Sequence, residues 1–92
     1  MKKVLMWLIL GTKGGYNRAR IIQLLHDRPY NKNQLSKKLN LNYRTITHHL
    51  SIFEEMGIIE TMGDNYGVVY FLSDKMLENY DYFTEIWNKL KE

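Results

Sequence analysis

The spacing of apolar and polar residues in the first third of the chain predicts two helices joined by a loop. Residues 2–10 are apolar after two lysines and fit a short buried helix or strand, with helix favoured by the positions of the leucines. Residues 11–16 contain a glycine pair that permits a sharp loop. Asn17 is the expected N-cap of a second helix over residues 17–28, which Pro29 ends because proline cannot continue a helix.

Amide side chains mark the starts of a third and a fourth helix. Asn31 and Gln34 have the spacing of a capping box before a helix over about residues 32–39. Asn42 is the expected N-cap of a fourth helix that stops at Gly57. The apolar residues of this helix recur at intervals of four and three and are Ile46, Leu50 and Phe53. The third and fourth helices are separated by a turn of only about three residues, and this arrangement predicts a helix-turn-helix.

The second half of the chain predicts a β-hairpin and a last helix. The segments "IIETM" and "VVYFL" favour strands and are separated by the turn sequence "GDNYG". Ser73 is the expected N-cap of the last helix. Its apolar residues form a seam with gaps of four and three: Met76, Tyr80, Phe83, Trp87 and Leu90. The order α-α-α-α-β-β-α therefore describes one mainly helical domain with a β-hairpin over residues 1–92.

The composition is that of one ordinary folded domain. The chain has 92 residues, of which 45% are hydrophobic and 25% charged, so it can bury a single core. It contains no cysteine, which excludes disulfides, thiolate metal sites and thiol catalysis and makes the cytoplasm the expected location. The apolar run of residues 4–10 is too short to span a membrane and lacks a signal-peptide cleavage pattern, so no membrane partner is expected.

Charge is divided unevenly along the chain. The net charge is +3, but residues 13–53 contain eight lysines and arginines against one aspartate, whereas residues 54–92 contain nine acidic residues against three lysines. A basic segment beside an acidic one is expected where one side of a small domain faces a polyanion such as nucleic acid. Two differently charged, solvent-exposed faces would give the same pattern.

The helix-turn-helix segment resembles a known family. The sequence "NKNQLSKKLNLNYRTITHHLSIFEEMGIIE", followed by the two predicted strands, is similar to the winged helix-turn-helix domains of the ArsR-like superfamily. In that family the recognition helix runs into a His-Leu pair and ends at a glycine before a small apolar strand. The segments "GTKGGYNRARI" and "DNYGVVYFLS" resemble the archaeal branch. The resemblance implies a transcriptional regulator, although winged helices also serve as protein-docking modules and the fold alone does not establish DNA binding.

A helical wheel separates the two faces of the predicted recognition helix. With about 100° per residue, Arg44, His48 and Ser51 point away from the apolar face, whereas His49 falls close to it. The exposed first turns then offer donors and methyl groups that suit base edges and phosphates in a major groove. The residues expected at the DNA from this helix are Asn42, Tyr43, Arg44, Thr45, Thr47, His48 and Ser51.

Two further segments are expected near the same duplex. Lys37 and Lys38, at the end of the third helix, would contact phosphates. The hairpin turn contains no lysine or arginine, and Asp64 would repel phosphate, so Asn65 and Tyr66 are the candidates for contact from the wing. Tyr66 equally fits packing on its own hairpin.

Side chains for metal binding or catalysis do not occur at supporting spacings. The adjacent His48 and His49 point about 100° apart on a helix and do not readily chelate one ion. Many ArsR-like proteins sense metals, but here the third helix has no cysteine and the last helix no histidine to match the family's metal sites. His26 fits the end of the second helix, where the helix dipole favours it. We expect no metal, no cofactor and no enzymatic activity.

The apolar seam of the last helix also bears on assembly. It could simply cover the domain's own core, yet together with residues 2–10 it offers more apolar surface than one face of a monomer requires. Packing residues 1–10 and 73–92 across a two-fold axis would place two recognition helices about one DNA turn apart. The residues expected at this dimer interface are Val4, Leu5, Leu8, Met76, Tyr80, Phe83, Trp87 and Leu90.

These features together predict a homodimeric transcriptional regulator that binds double-stranded DNA sequence-specifically. A winged helix that docks a protein partner without binding DNA is the alternative. The residues identify no operator and no small-molecule effector.

Overall fold

A computed structural model describes residues 1–64 and 66–91 and has the predicted winged helix-turn-helix architecture. The helices are α1 (Lys2–Leu10), α2 (Gly15–Asp27), α3 (Lys32–Leu39), α4 (Tyr43–Glu55), α5 (Asp74–Glu78) and α6 (Tyr80–Lys91). The strands β1 (Ile59–Asp64) and β2 (Gly67–Leu72) form a two-stranded antiparallel sheet. Within the described ranges, no helix combines the length and apolar character needed to cross a lipid bilayer.

The first two helices meet at a tight corner. Gly15 begins α2 directly against the end of α1, where a Cβ atom on Gly15 would lie 1.7 Å from the carbonyl oxygen of Ile9. The prediction that Asn17 caps this helix is therefore wrong. Asn17 lies inside the first turn, and its Oδ1 accepts a hydrogen bond from Nη1 of Arg20 at 3.0 Å. The helix α2 thus begins where the two helices touch, at Gly15, without a side-chain cap.

Side-chain caps begin both helices of the helix-turn-helix. The Asn31 Oδ1 accepts from the Gln34 backbone nitrogen at 2.8 Å, and Gln34 Oε1 accepts from the Asn31 backbone nitrogen at 2.9 Å, which confirms the capping box of α3. Asn40 ends α3 in the left-handed conformation, with φ of 54°. Asn42 Oδ1 accepts from the Thr45 backbone nitrogen at 2.8 Å and begins α4, as predicted.

One isolated bridge pairs the hairpin with the segment between α2 and α3. The strands of the hairpin pair in register from Ile59 opposite Leu72 to Asp64 opposite Gly67. Tyr30, between α2 and α3, forms an isolated antiparallel bridge with Tyr70, and the two backbone N···O distances are 3.2 and 2.8 Å. The sequence pattern does not reveal this bridge, because one paired residue has no periodicity.

The last predicted helix is divided into two. Ser73 Oγ accepts from the Met76 backbone nitrogen at 3.1 Å and caps α5, as predicted. The helix then ends at Asn79, whose side-chain nitrogen donates to the carbonyl oxygen of Lys75 at 2.8 Å, and α6 begins at Tyr80. One continuous helix with an unbroken seam is therefore a wrong prediction.

The apolar seam lies inside the domain, where α6 packs against α1 of the same chain. Four residues predicted at a dimer interface are at most 1% exposed: Leu5, Leu8, Met76 and Phe83. Their assignment to an interface is wrong, because the core of their own chain already covers them. The other four pack partly or wholly against the same core and are Val4, Tyr80, Trp87 and Leu90.

Candidate nucleic-acid interface

The two faces of α4 divide as the helical wheel predicts. The buried residues are Ile46, His49, Leu50 and Phe53. Arg44, His48 and Ser51 are exposed, at intervals of four and three along the outer face. This face therefore presents a guanidinium, an imidazole and a hydroxyl, all of which can bond to base edges or phosphates.

The two threonines on the flanks of α4 are only half exposed. The Thr47 hydroxyl oxygen is buried and has no hydrogen-bond partner among the residues that the structure describes. Contact between Thr47 and a DNA groove stays a prediction. Thr45 is also half-buried, and its backbone nitrogen is bonded to the cap residue Asn42.

Lys32 lies beside the start of α4. Its Nζ is 5.6 Å from the centre of the Tyr43 ring and 6.0 Å from that of Tyr70. Tyr43 is 51% exposed, so the positive charge lies next to an accessible ring at the first residue of α4. The sequence carries one signal for this position, because Lys32 directly follows the cap residue Asn31 and must therefore stand at the start of α3.

A polar groove of about 420 Å³ lies between the hairpin and the helix-turn-helix. Its lining residues are Asn31, Lys32, Asn33, Tyr43, Asp64, Tyr66, Gly67, Val68 and Tyr70. Lys32 and Asp64 bring one positive and one negative charge to the lining of this groove. Because Tyr43 lines the groove and also begins α4, the groove adjoins the outer face of the recognition helix.

The tip of the wing presents an exposed tyrosine. Tyr66 is 98% exposed, so the alternative that it packs on its own hairpin is wrong. Its backbone nitrogen donates to Oδ1 of Asp64 at 2.9 Å, which uses part of that carboxylate within the turn. Asn65, the other predicted wing contact, lies outside the described residues.

Two cations lie over the ring of Tyr30. Lys37 and Lys38 are both exposed, and Nζ of Lys38 lies 5.8 Å from the centre of the Tyr30 ring. The guanidinium carbon of Arg28 lies 4.5 Å from the same centre. Cations at these distances interact favourably with an aromatic face. Arg28 therefore adds a positive charge beside Lys38. The helical wheel could not reveal it, because Arg28 lies outside α4.

His49 turns inward and contacts a buried arginine. Nε of Arg18 donates to Nδ1 of His49 at 3.2 Å, and the two residues are 7% and 6% exposed. Burial, together with the positive charges of Arg18 and His48, lowers the pKa of His49 to about 4. His49 is therefore neutral at physiological pH, with its proton on Nε2 and its Nδ1 lone pair directed at the arginine.

The three histidines have separate surroundings. The ring centres of His48 and His49 are 5.7 Å apart, with the planes at 53°. The His26 ring stacks on Tyr80 with the centres 3.7 Å apart. Across residues 1–64 and 66–91, no three His, Cys, Asp or Glu side chains come close enough to share a metal ion. That the protein needs no metal stays a prediction.

The caps, the antiparallel hairpin and the exposed face of α4 define a winged helix-turn-helix domain. Residues 16–61, half of the chain, match the family described as "Bacterial regulatory protein, arsR family". The chain belongs to this family. A search of curated proteins finds no match to the sequence.

Solved structures from three bacteria have the same fold. ZitR from Lactococcus lactis, in its C30AH42A mutant, superposes with a TM-score of 0.70 at 19% identity, covering 78% of this chain and 51% of that one. HlyU from Vibrio cholerae superposes with a TM-score of 0.70 at 20% identity, covering 94% and 91%. The adhesin competence repressor from Streptococcus pyogenes gives 0.61 at 16% identity, covering 79% and 62%. The chain thus spans about half the length of this ZitR chain.

Proposed function

We propose that this chain is a transcriptional regulator that binds double-stranded DNA sequence-specifically, as a homodimer in the cytoplasm, without a cofactor or catalytic role. The outer face of α4 carries the proposal, because Arg44, His48 and Ser51 follow one another there without cover from the rest of the chain. Membership of the arsR family supports the regulatory role. Affiliation with the archaeal branch rests on the sequences of residues 11–21 and 64–73.

The surroundings of α4 support contact with the DNA backbone. Lys32 and the hydroxyls of Tyr43 and Tyr66 border the groove beside the recognition helix, which suits a phosphodiester strand. Lys37 and Lys38 add exposed positive charge on the preceding helix. Such contacts fix a protein on the duplex without reading its sequence, whereas the face of α4 would read base edges.

The outer face of α1 supports a homodimer, with α6 holding that helix from within the chain. Met6, Trp7 and Leu10 are 50%, 59% and 40% exposed, and they line an apolar surface groove with Gly11. Adjacent apolar side chains with this much exposure are typical of an association surface. A second copy of the chain packed along α1 would cover them.

The function is tested by selecting duplex fragments from mixed genomic DNA and measuring their binding by fluorescence anisotropy. We expect retained fragments that share a sequence, and an affinity that falls steeply as salt is raised. Arg44→Ala should weaken binding of the selected duplex about tenfold or more. Lys89→Ala, which removes one positive charge from the exposed side of α6, is the matched control. Absence of any retained duplex at low salt would overturn the proposal.

A further inference from the structure

A charged side chain lies in the interior between the α1–α2 corner and the recognition helix. Arg18 is only 7% exposed. A buried charge is costly unless its donors are satisfied. In the described part of the chain its guanidinium bonds only to neutral acceptors, and burial lowers its pKa. An apolar residue of similar volume is often no less stable at such a position, which directs attention to the particular bonds that the guanidinium forms.

One edge of the guanidinium is bound to the end of α1. Nη1 of Arg18 donates to the carbonyl oxygen of Leu8 at 3.3 Å and to Oγ1 of Thr12 at 2.9 Å. Thr12 Oγ1 in turn donates to the Leu8 carbonyl at 2.8 Å. The carbonyls of a last helical turn have no partner within the helix, and this cluster supplies partners to the Leu8 carbonyl.

The other edge is bound to the middle of α4. Nε donates to Nδ1 of His49, which lies directly after His48 on the exposed face. The loop before α2 also packs closely against the ring of His49, since a Cβ atom on Gly14 would lie 3.0 Å from its Cε1. Because the guanidinium is planar and rigid, the two sets of bonds fix a distance and an angle between α1 and α4.

We propose that Arg18 is a positioning residue for DNA recognition: through His49 it fixes the rotation of α4 on the body of the domain, and so which side chains meet the base edges. This inference rests on the proposed function. Base-edge hydrogen bonds depend on position far more than phosphate attraction does. A misplaced α4 therefore loses discrimination between sequences while its attraction to any duplex persists.

The test compares the selected duplex with a scrambled duplex of equal length and composition. Arg18→Lys keeps the positive charge, but its single amino group cannot bond to the end of α1 and to His49 at the same time. His49→Leu removes the acceptor on α4. Both variants should lose about tenfold or more of the preference for the selected duplex. Affinity for the scrambled duplex and its salt dependence should stay within about twofold of the wild type. His49→Asn, whose Oδ1 can replace Nδ1 as the acceptor, should retain the preference.

Several results would overturn the inference. One is a folded Arg18→Lys protein with the full preference for the selected duplex, and another is an equal loss on both duplexes. If Arg18→Lys does not fold, the two His49 variants decide. Equal preference of His49→Leu and His49→Asn for the selected duplex would then overturn the inference. If the wild type binds no duplex, the proposed function fails. Residual dipolar couplings of the α4 amides then decide about positioning, since couplings in His49→Leu that equal those of the wild type would refute it.

Discussion

Arg18 Nε and His49 Nδ1 lie 3.2 Å apart in the interior, and the hydrogen bond between them requires an unprotonated Nδ1. This pair makes stability depend on pH. The pKa of His49 is about 4 in the folded protein against 6.5 for a free histidine, so the unfolded chain binds the proton more tightly. Stability contributed by neutral His49 is complete above about pH 6.5 and is lost as the pH falls toward 4, by on the order of 3 kcal/mol.

Urea unfolding at a series of pH values measures this loss. Carboxylates also titrate at the low end of the range, so the comparison is with His49→Asn, which has no imidazole at this position. We expect the wild type to lose more stability than the variant between pH 6.5 and 4.5. Parallel curves for the two proteins would contradict the prediction.

Lys32 should act on DNA through its charge alone. Removing it with Lys32→Ala is expected to weaken binding of selected and scrambled duplexes by the same factor, because a phosphate contact carries no sequence information. The slope of log affinity against log salt should fall by about one. Anisotropy titrations at several salt concentrations measure both quantities, and Lys89→Ala should leave the slope unchanged. Weaker binding of the selected duplex alone would instead indicate base contact.

Trp7 should determine the oligomeric state. A charge placed at an apolar contact is costly, so Trp7→Glu is expected to yield monomers at concentrations where the wild type sediments as a dimer. Because Trp7 is 59% exposed, the substitution should leave the fold of each protomer intact. Met62→Glu is the matched control, since Met62 is 66% exposed on the wing. A Trp7→Glu protein that still sediments as a dimer would show that the outer face of α1 is not the dimer interface.

Gly15 should be required at the α1–α2 corner. In Gly15→Ala the new methyl would meet the Ile9 carbonyl oxygen at 1.7 Å, so the helices must separate. We expect a loss on the order of 3 kcal/mol in the free energy of unfolding. Gly67→Ala has nothing within 4 Å of the added atom and should change stability little. Equal urea midpoints for the two variants would show that the corner adjusts without cost.

The caps could be predicted from the sequence because each depends on residues three positions apart. Asn31, Asn42 and Ser73 bond to backbone nitrogens within their own first turns. Asn17 has the same chemistry, but α2 begins two residues earlier because α1 touches Gly15. That contact depends on how two helices pack, which no local pattern encodes.

The candidate site was only partly predictable for the same reason. Helical spacing separates Arg44 and His48 from His49, and it also places Arg18 on the buried face of α2 with Ile22 and Leu25. Spacing cannot show that Arg18 meets His49, which lies 31 residues further along the chain. Likewise, the periodicity of the last helix identifies its apolar residues but not the surface that covers them, which is α1 of the same chain.

The bridge between Tyr30 and Tyr70 holds the hairpin at one end and leaves its turn end projecting. The fixed end is the hydrogen-bonded pair of tyrosines, and three residue pairs project beyond it, from Met62 opposite Val69 to Asp64 opposite Gly67. We therefore expect motion of the hairpin to be greatest in these three pairs, while α4, which is buried through Ile46, Leu50 and Phe53, keeps its orientation. Amide hydrogen exchange should accordingly be slow at Tyr70 and fast at Gly67.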